Sequence, residues 1–221
     1  MIHVVSFVFN PFQENTWVLY DDTGECVIID PGCYDEGEQE QLRQFIVQHR
    51  LTPVQLLNTH CHLDHIFGNA FVHKQWNLAP QIHRLELSFL ERAPQISLMY
   101  GVFMEHPSPG PSGWLEEGQV IQFGHSHLEV LFVPGHAPGH VAFYAPNEGF
   151  VVSGDVLFYD SVGRTDLPGG HWPTLLQSIR KKLFVLPDTT RVLPGHGPET
   201  TIGREKKYNP FCGPNAVNDG K

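Results

Sequence analysis

The chain has 221 residues, of which 41% are hydrophobic and 17% charged, and its formal net charge at pH 7 is -10. This composition predicts an ordinary folded domain, and the acidic balance argues against a nucleic-acid partner, because such proteins present a basic face. No apolar run approaches the roughly 20 residues that span a bilayer. The first residues also lack the basic start and cleavage site of a signal peptide. We therefore expect a cytoplasmic protein with neither a nucleic-acid nor a membrane partner.

The first half of the chain predicts strands followed by helices. Turn residues such as Asn-Pro and Asp-Asp-Thr-Gly separate three strands, at 2–9, 16–20 and 26–30. A helix is predicted over 35–50 and a strand over 54–58, followed by helices at 66–76 and 84–92. Residues 93–118 are rich in Pro and Gly, which predicts a long surface loop.

The second half repeats the order of strands, helix and strand. Its predicted strands lie at 120–123, 128–133, 141–144, 150–153 and 191–193, with a helix over 173–186. This order suggests helices that cover both outer faces of a pair of sheets. We expect one domain over residues 1–211 and a short C-terminal tail over 212–221.

Four of the apolar runs end in residue types that bind metal ions. The runs are VQLLNTHCHLDH, EVLFVPGH, FVVSGD and RVLPGH, and each delivers its ligands from a strand end. The candidates are His60, His62, Asp64, His65, His136, Asp155 and His196. Five imidazoles and two carboxylates exceed what one four-coordinate ion uses and suit two adjacent ions.

The order of these residues along the chain suggests how they divide. The proposed ligands of the first ion are His60, His62 and His136, and those of the second are Asp64, His65 and His196. Asp155 is the natural bridge, because a carboxylate can give one oxygen to each metal. Zinc accepts both ligand types readily, and iron or manganese would also be accepted.

The four cysteines show no pairing typical of a disulfide framework or a zinc site. They are Cys26, Cys33, Cys61 and Cys212, and none forms a CxxC motif. Cys61 lies between two candidate ligands. We expect its side chain to face the scaffold, because alternate residues of a strand-end loop point away from each other. A functional thiol would require exposure and a lowered pKa.

The motifs THCHLDH (59–65), PGHAPGH (134–140), SGDVLF (153–158) and PGHGP (194–198) resemble those of the metallo-β-lactamase fold superfamily. Within it, the chain is most similar to the glyoxalase II (hydroxyacylglutathione hydrolase) branch, in its short single-domain bacterial form. The resemblance implies an α/β fold, a four-layer αββα sandwich, with the metal site at the sheet edge. It implies the same division of ligands and a supporting role for His140 that anchors the backbone. It further implies a thioesterase, in which a hydroxide that bridges the two metals attacks the thioester carbonyl. Asp64 and Asp155, as ligands of these metals, are the implied catalytic residues.

The resemblance is weaker where the substrate binds. Arg164 stands where the family has a substrate-binding lysine, and a structural salt bridge is the alternative role. The run REKKYNPF (204–211) resembles the family's approach to its last segment, but no basic glutathione-binding stretch follows it. The implied substrate is a small-molecule thioester, and specificity for glutathione is not implied.

Two other functions are compatible with these motifs. A persulfide dioxygenase holds one iron with two His and one Asp, and GRTD at 163–166 resembles that branch as well. His140 and the complete second set of ligands argue against it. A lactonase or β-lactamase is a further alternative, whereas a non-catalytic relative would be expected to have lost ligands. The sequence does not predict the oligomeric state.

Overall fold

The computed structural model describes residues 1–214 and 216. These residues form two compact units, the first made of Met1–Leu115 with Val120–His127 and the second of Glu116–Gln119 with the chain from Leu128 onward. Of the predicted tail over 212–221, only 212–214 and 216 are described, and Cys212 is buried. The other residues of that tail lie outside the described part of the chain, so the domain boundary at residue 211 stays a prediction.

The first unit contains a mixed six-stranded sheet. Its strands follow one another in chain order: β1 (His3–Phe9), β2 (Glu14–Tyr20), β3 (Glu25–Ile29), β4 (Thr52–Leu57), β5 (Pro80–Ile82) and β6 (Gly113–Trp114). β1, β2 and β3 pair antiparallel, whereas β3, β4, β5 and β6 pair parallel. The carboxyl ends of β3 and β4 therefore lie at the same edge of the sheet, where Asp30 and the segment THCHLDH begin.

Helices follow the parallel strands of this unit. They are α1 (Glu36–Gln48), α2 (Leu63–Ile66), α3 (Asn69–Trp76), a 3₁₀ turn (Arg84–Glu86) and α4 (Leu87–Met99). The Asp35 side chain caps α1 by accepting a hydrogen bond from the amide of Glu38, and Leu42 and Ile46 bury one face of the helix. No helix of the described residues is long and apolar enough to cross a membrane.

The structure corrects the predicted loop over 93–118. α4 continues through Pro94 to Met99, and β6 lies within the same stretch. An internal proline removes one hydrogen bond of the helix and costs about 3 kcal/mol. Leu90, Ala93 and Ser97 are buried at helical spacing, and this packing outweighs the cost of the proline.

The predicted helix over 66–76 is also divided. α2 ends at Ile66 and α3 begins at Asn69, because the chain between them passes close to the segment after β3. The amide of Gly68 donates to the carbonyl of Pro31 over 2.7 Å. A side chain at Gly68 would collide with Cys33, so the close approach requires glycine there.

The remaining strands and helices follow in the second half of the chain. They are β7 (Val120–Phe123), β8 (Ser126–Phe132), β9 (Val141–Ala145), β10 (Phe150–Gly154), the ribbon β11 (Leu157–Phe158) and β12 (Ser161–Val162), α5 (Trp172–Ser178), β13 (Arg191–Pro194), β14 (Thr200–Thr201) and α6 (Ile202–Tyr208). A π-helical turn (Ile179–Leu183) continues α5. The second sheet has the order β14-β13-β10-β9-β8-β7.

The pairing in this sheet gives three strands a common direction. β9 is antiparallel to both β8 and β10, and β10 is parallel to β13. The carboxyl ends of β8, β10 and β13 therefore lie at one edge of the sheet. His136, Asp155 and His196 each follow one of these ends, as the sequence predicts.

Candidate metal centre

The first two predicted ligands occupy the loop that follows β4. His60 is buried and His62 is half-buried, and His60 Nε2 lies 3.1 Å from His62 Nδ1. The other ring nitrogen of His60, Nδ1, is 3.0 Å from Thr59 Oγ1. This hydrogen bond fixes the orientation of the His60 ring and directs its Nε2 toward His62.

The next two predicted ligands lie on α2. His65 Nε2 is 3.6 Å from the Asp64 carboxylate, and His65 Nδ1 donates to Asp30 Oδ2 over 3.0 Å. Ligand atoms of Asp30, His60 and His65 lie within 4.8 Å of one another. The buried carboxylate of Asp30 thus supports the His65 ring from behind.

Asp30 organises the whole ligand loop of the first unit. Its carboxylate accepts hydrogen bonds from the Thr59 amide (2.7 Å) and from Thr59 Oγ1 (2.6 Å), in addition to the His65 ring. Because Thr59 Oγ1 donates to Asp30, it must accept from His60 Nδ1, which leaves the lone pair of His60 on Nε2. One carboxylate therefore sets the tautomer of His60 and of His65. Sequence reasoning missed Asp30, although CVIID is an apolar strand ending in Asp, as FVVSGD is.

A second buried carboxyl group lies on the same side of His65. Glu14 is fully buried and accepts from Thr16 Oγ1 over 2.9 Å, and its Oε1 lies 3.9 Å from His65 Nδ1. Burial raises the pKa of Glu14 well above its usual range, although attraction to His65 lowers it in part. Glu14 therefore holds its proton more readily than a solvent-exposed carboxyl group does. Sequence reasoning missed Glu14, because it lies before the predicted strand at 16–20, in a turn segment where an acidic residue is normally exposed.

A third buried carboxyl group holds the backbone between His60 and His62. Glu86 is fully buried and accepts a hydrogen bond from the amide of Cys61 over 2.9 Å. The Cys61 side chain is itself buried, and burial raises the pKa of its thiol well above its usual range. The prediction that Cys61 faces the scaffold is confirmed, and all four cysteines are free and buried.

In the second unit, Asp155 lies between two imidazoles. Its Oδ2 is 3.5 Å from His136 Nε2 and 3.5 Å from His196 Nε2. The amide of Asp155 donates to His140 Nε2 over 3.0 Å, so His140 holds the backbone of Asp155. The Asp155 carboxylate thus lies next to both imidazole rings, and its role as a bridge between two metal ions stays a prediction.

Arg164 supports this group through its main chain. Its carbonyl accepts a hydrogen bond from His136 Nδ1 over 2.7 Å, which directs His136 Nε2 toward Asp155. The Arg164 side chain makes a bidentate ion pair with Asp166, with both N–O distances 2.7 Å. Hydrogen bonds from Arg164 lower the pKa of Asp166 to about 2. Of the two predicted roles of Arg164, the structure shows the salt bridge, and substrate binding stays a prediction.

The donor sets in both units suit a divalent metal of intermediate softness. The donors are imidazoles and carboxylates, and three of the rings have one nitrogen held by a protein group. Within the first unit the structure brings together His60, His62, Asp64 and His65, and within the second His136, Asp155 and His196. How these seven ligands divide between two ions stays a prediction.

Comparison with known proteins agrees with these motifs. The family model of the metallo-beta-lactamase superfamily matches residues 9–196. A probable metallo-hydrolase of Bacillus subtilis, YqgX, is 41% identical over 204 residues, which cover 91% of this chain and 93% of that protein. The hydroxyacylglutathione hydrolase GloC of Haemophilus influenzae is 39% identical over 208 residues, which cover 90% of this chain and 93% of that protein. The chain belongs to the metallo-beta-lactamase superfamily.

A solved structure extends this comparison to the fold. The crystal structure of TTHA1623 in a di-iron-bound form has a TM-score of 0.84 and 41% identity, covering 94% of this chain and 100% of that chain. The predicted α/β metallo-β-lactamase fold is confirmed. Histidine and aspartate clusters suited to a divalent metal are present in both units, and they do not by themselves distinguish zinc from iron.

Proposed function

We propose that this metallo-hydrolase is a dinuclear thioesterase of the hydroxyacylglutathione hydrolase type, acting in the cytoplasm on a small-molecule thioester. The proposed ligands are His60, His62 and His136 for one ion and Asp64, His65 and His196 for the other, with Asp155 as the bridge. The observation that carries the proposal is the position of Asp155 Oδ2, 3.5 Å from both His136 Nε2 and His196 Nε2. The identity of 39% to GloC favours a thioester over other substrates of the superfamily.

Two divalent cations bound by these residues would supply acidified water and polarisation of the substrate carbonyl. The chain contributes orientation. Thr59 holds the ring of His60, Asp30 holds that of His65, and the Arg164 carbonyl holds that of His136. His140 fixes the main chain of Asp155, so that the carboxylate projects from an anchored backbone.

The thiol in the ligand loop is poorly suited to forming a covalent intermediate. The thiol of Cys61, the cysteine within the ligand loop, is buried, and its pKa is raised by desolvation. A thiolate nucleophile would require the opposite environment. A thioester nevertheless suits direct attack by water, because its thiolate is a good leaving group.

The test pairs metal content with activity. The purified protein is analysed for zinc, iron and manganese. It is then assayed for hydrolysis of S-lactoylglutathione, a lactone and a β-lactam, and for oxygen uptake with glutathione persulfide. Two metals per chain with thioester hydrolysis is the expected result. One iron with oxygen consumption, or hydrolysis confined to a lactone or β-lactam, would overturn the proposal.

A further inference from the structure

The segment at 163–166 places a charge pair next to a proposed metal ligand. The carbonyl of Arg164 accepts from His136 Nδ1 over 2.7 Å, while its guanidinium binds Asp166. The main chain of Arg164 is thus part of the support for His136. Its side chain leaves the same backbone position and carries the positive charge of this segment.

This segment is anchored at Gly163, and the chain beyond it is anchored again at His171. The main chain at Gly163 passes so close to the Asp155 carbonyl that a side chain there would collide with it, and the side chain would also press against the His136 ring. The amide of His171 donates to the carbonyl of Gly135 over 2.7 Å. The backbone that carries the Arg164–Asp166 pair is therefore held at a set place relative to His136 and Asp155.

The charge pair is accessible to a substrate. The side chains of Arg164 and Asp166 are 61% and 68% exposed. The carboxylate of Asp166 binds Nε and Nη2 of Arg164, and this edge of a guanidinium is one that binds a carboxylate ligand in bidentate fashion. Asp166 thus occupies the edge of the guanidinium to which an anionic ligand would bind.

We propose that Asp166 is a specificity-determining residue, which competes with an anionic group of the substrate for Arg164 and so favours thioesters that are uncharged at that position. A substrate carboxylate must displace Asp166 and then lie beside its negative charge, whereas an uncharged group does neither. The hydrogen bonds from Arg164 keep Asp166 ionised at any working pH, since they lower its pKa to about 2. The inference rests on the proposed thioesterase function.

The test compares two acetyl thioesters that differ in charge, S-acetyl-N-acetylcysteamine and S-acetyl-3-mercaptopropionate. We expect Asp166→Asn to raise kcat/KM for the anionic thioester about fivefold, the factor that an exposed ion pair represents, mainly through KM. The value for the uncharged thioester stays within about twofold. Adding Arg164→Gln to this variant removes the gain, because the competition acts through the guanidinium.

Glu199→Gln serves as the matched control. Glu199 makes another exposed bidentate pair in the same unit, with Arg191, and its loss should change neither value. An equal fall of both values in Asp166→Asn would show that the pair only supports the segment. A gain of the same size in Glu199→Gln would show a general effect of charge. Either result overturns the inference.

A binding measurement separates this inference from the proposed function. The metal-loaded wild type and Asp166→Asn are titrated with 3-(methylthio)propionate, a carboxylate that cannot be hydrolysed. Tighter binding by the variant, without hydrolysis of either thioester by the wild type, would support competition at Arg164 and refute the thioesterase. Hydrolysis by the wild type, without tighter binding or higher kcat/KM in the variant, would support the thioesterase function and refute competition at Arg164.

Discussion

Replacing Glu86 tests whether a buried carboxyl group positions the first ligand loop. Its Oε2 accepts the amide of Cys61 over 2.9 Å, and both residues are buried. Glu86→Ala leaves that amide buried without its acceptor, which costs about 1–3 kcal/mol of unfolding free energy. The loop between His60 and His62 then loses its support, and loss of such support lowers metal affinity by about 10- to 100-fold.

The assay measures stability and metal affinity separately. Urea unfolding of the metal-free protein gives the change in unfolding free energy, and competition with a chromophoric chelator gives the zinc affinity. Glu86→Gln keeps an acceptor oxygen at the same place, so we expect it to recover most of both quantities. The comparison between Ala and Gln distinguishes loss of the hydrogen bond from loss of charge.

Glu205 provides a control of the same kind in the other unit. It is fully buried and accepts hydrogen bonds from the amide of Asp160 (3.0 Å) and the side chain of Asn209 (2.8 Å). Glu205→Ala should lower stability by at least as much, because Thr200 and Arg204 also donate hydrogen bonds to Glu205, and should leave zinc affinity unchanged. If Glu86→Ala loses stability but binds zinc as tightly as the wild type, the positioning argument is refuted.

Three further changes test other parts of the structure. Asp155→Ala should lower both the metal content and the rate of hydrolysis. The rate should fall by more than about 100-fold, which is the largest loss expected for a residue that only supports a ligand. Full activity in this variant would refute the bridging role. Gly163→Ala should cost about 1–3 kcal/mol in urea unfolding, because its Cβ would lie 3.1 Å from His136 Cγ and collide with the Asp155 carbonyl. Gly110→Ala, with no atom within 4 Å of its added Cβ, should change stability by less than about 0.5 kcal/mol, and equal effects at the two glycines would contradict this reasoning. Burial raises the pKa of Asp21, but hydrogen bonds from its neighbours outweigh burial and lower it from 3.8 to about 2. The ionised Asp21 therefore contributes to the unfolding free energy above pH 4, and this contribution is lost as the pH falls through about 2. Asp21→Asn should lower the unfolding free energy by about 1 kcal/mol at pH 7 and by progressively less toward pH 2. A loss of stability that does not depend on pH would refute the assignment.

The candidate ligands could be predicted because each follows an apolar strand. The pattern of alternating His and Asp in THCHLDH is local, and strands that run in the same direction bring their ends to one edge whatever the details of packing. The same logic would have found Asp30, which directly follows β3. Most of the site could therefore be predicted from the residue types that follow the strands.

The supporting residues could not be predicted, because their roles depend on tertiary contacts. Glu86 lies in the predicted helix at 84–92, where an acidic residue is normally exposed. It is nevertheless buried, and its hydrogen-bond partner Cys61 lies 25 residues earlier in the sequence. Pro94 is a usual helix terminator, but burial on one face of α4 overrides that preference. A salt bridge is one of the two predicted roles of Arg164, and the structure identifies Asp166 as its partner.

The hydrogen bonds behind the imidazoles have a consequence for how the protein acquires metal. His60, His65 and His136 are each held by a group of their own unit, through Thr59, Asp30 and the Arg164 carbonyl. Protein groups therefore orient these three imidazoles without an ion, unlike the ligands of a zinc finger, whose folding depends on the metal. Metal loading then becomes a separate event that follows folding, so the supply of ions in the surroundings determines which metal the finished protein contains.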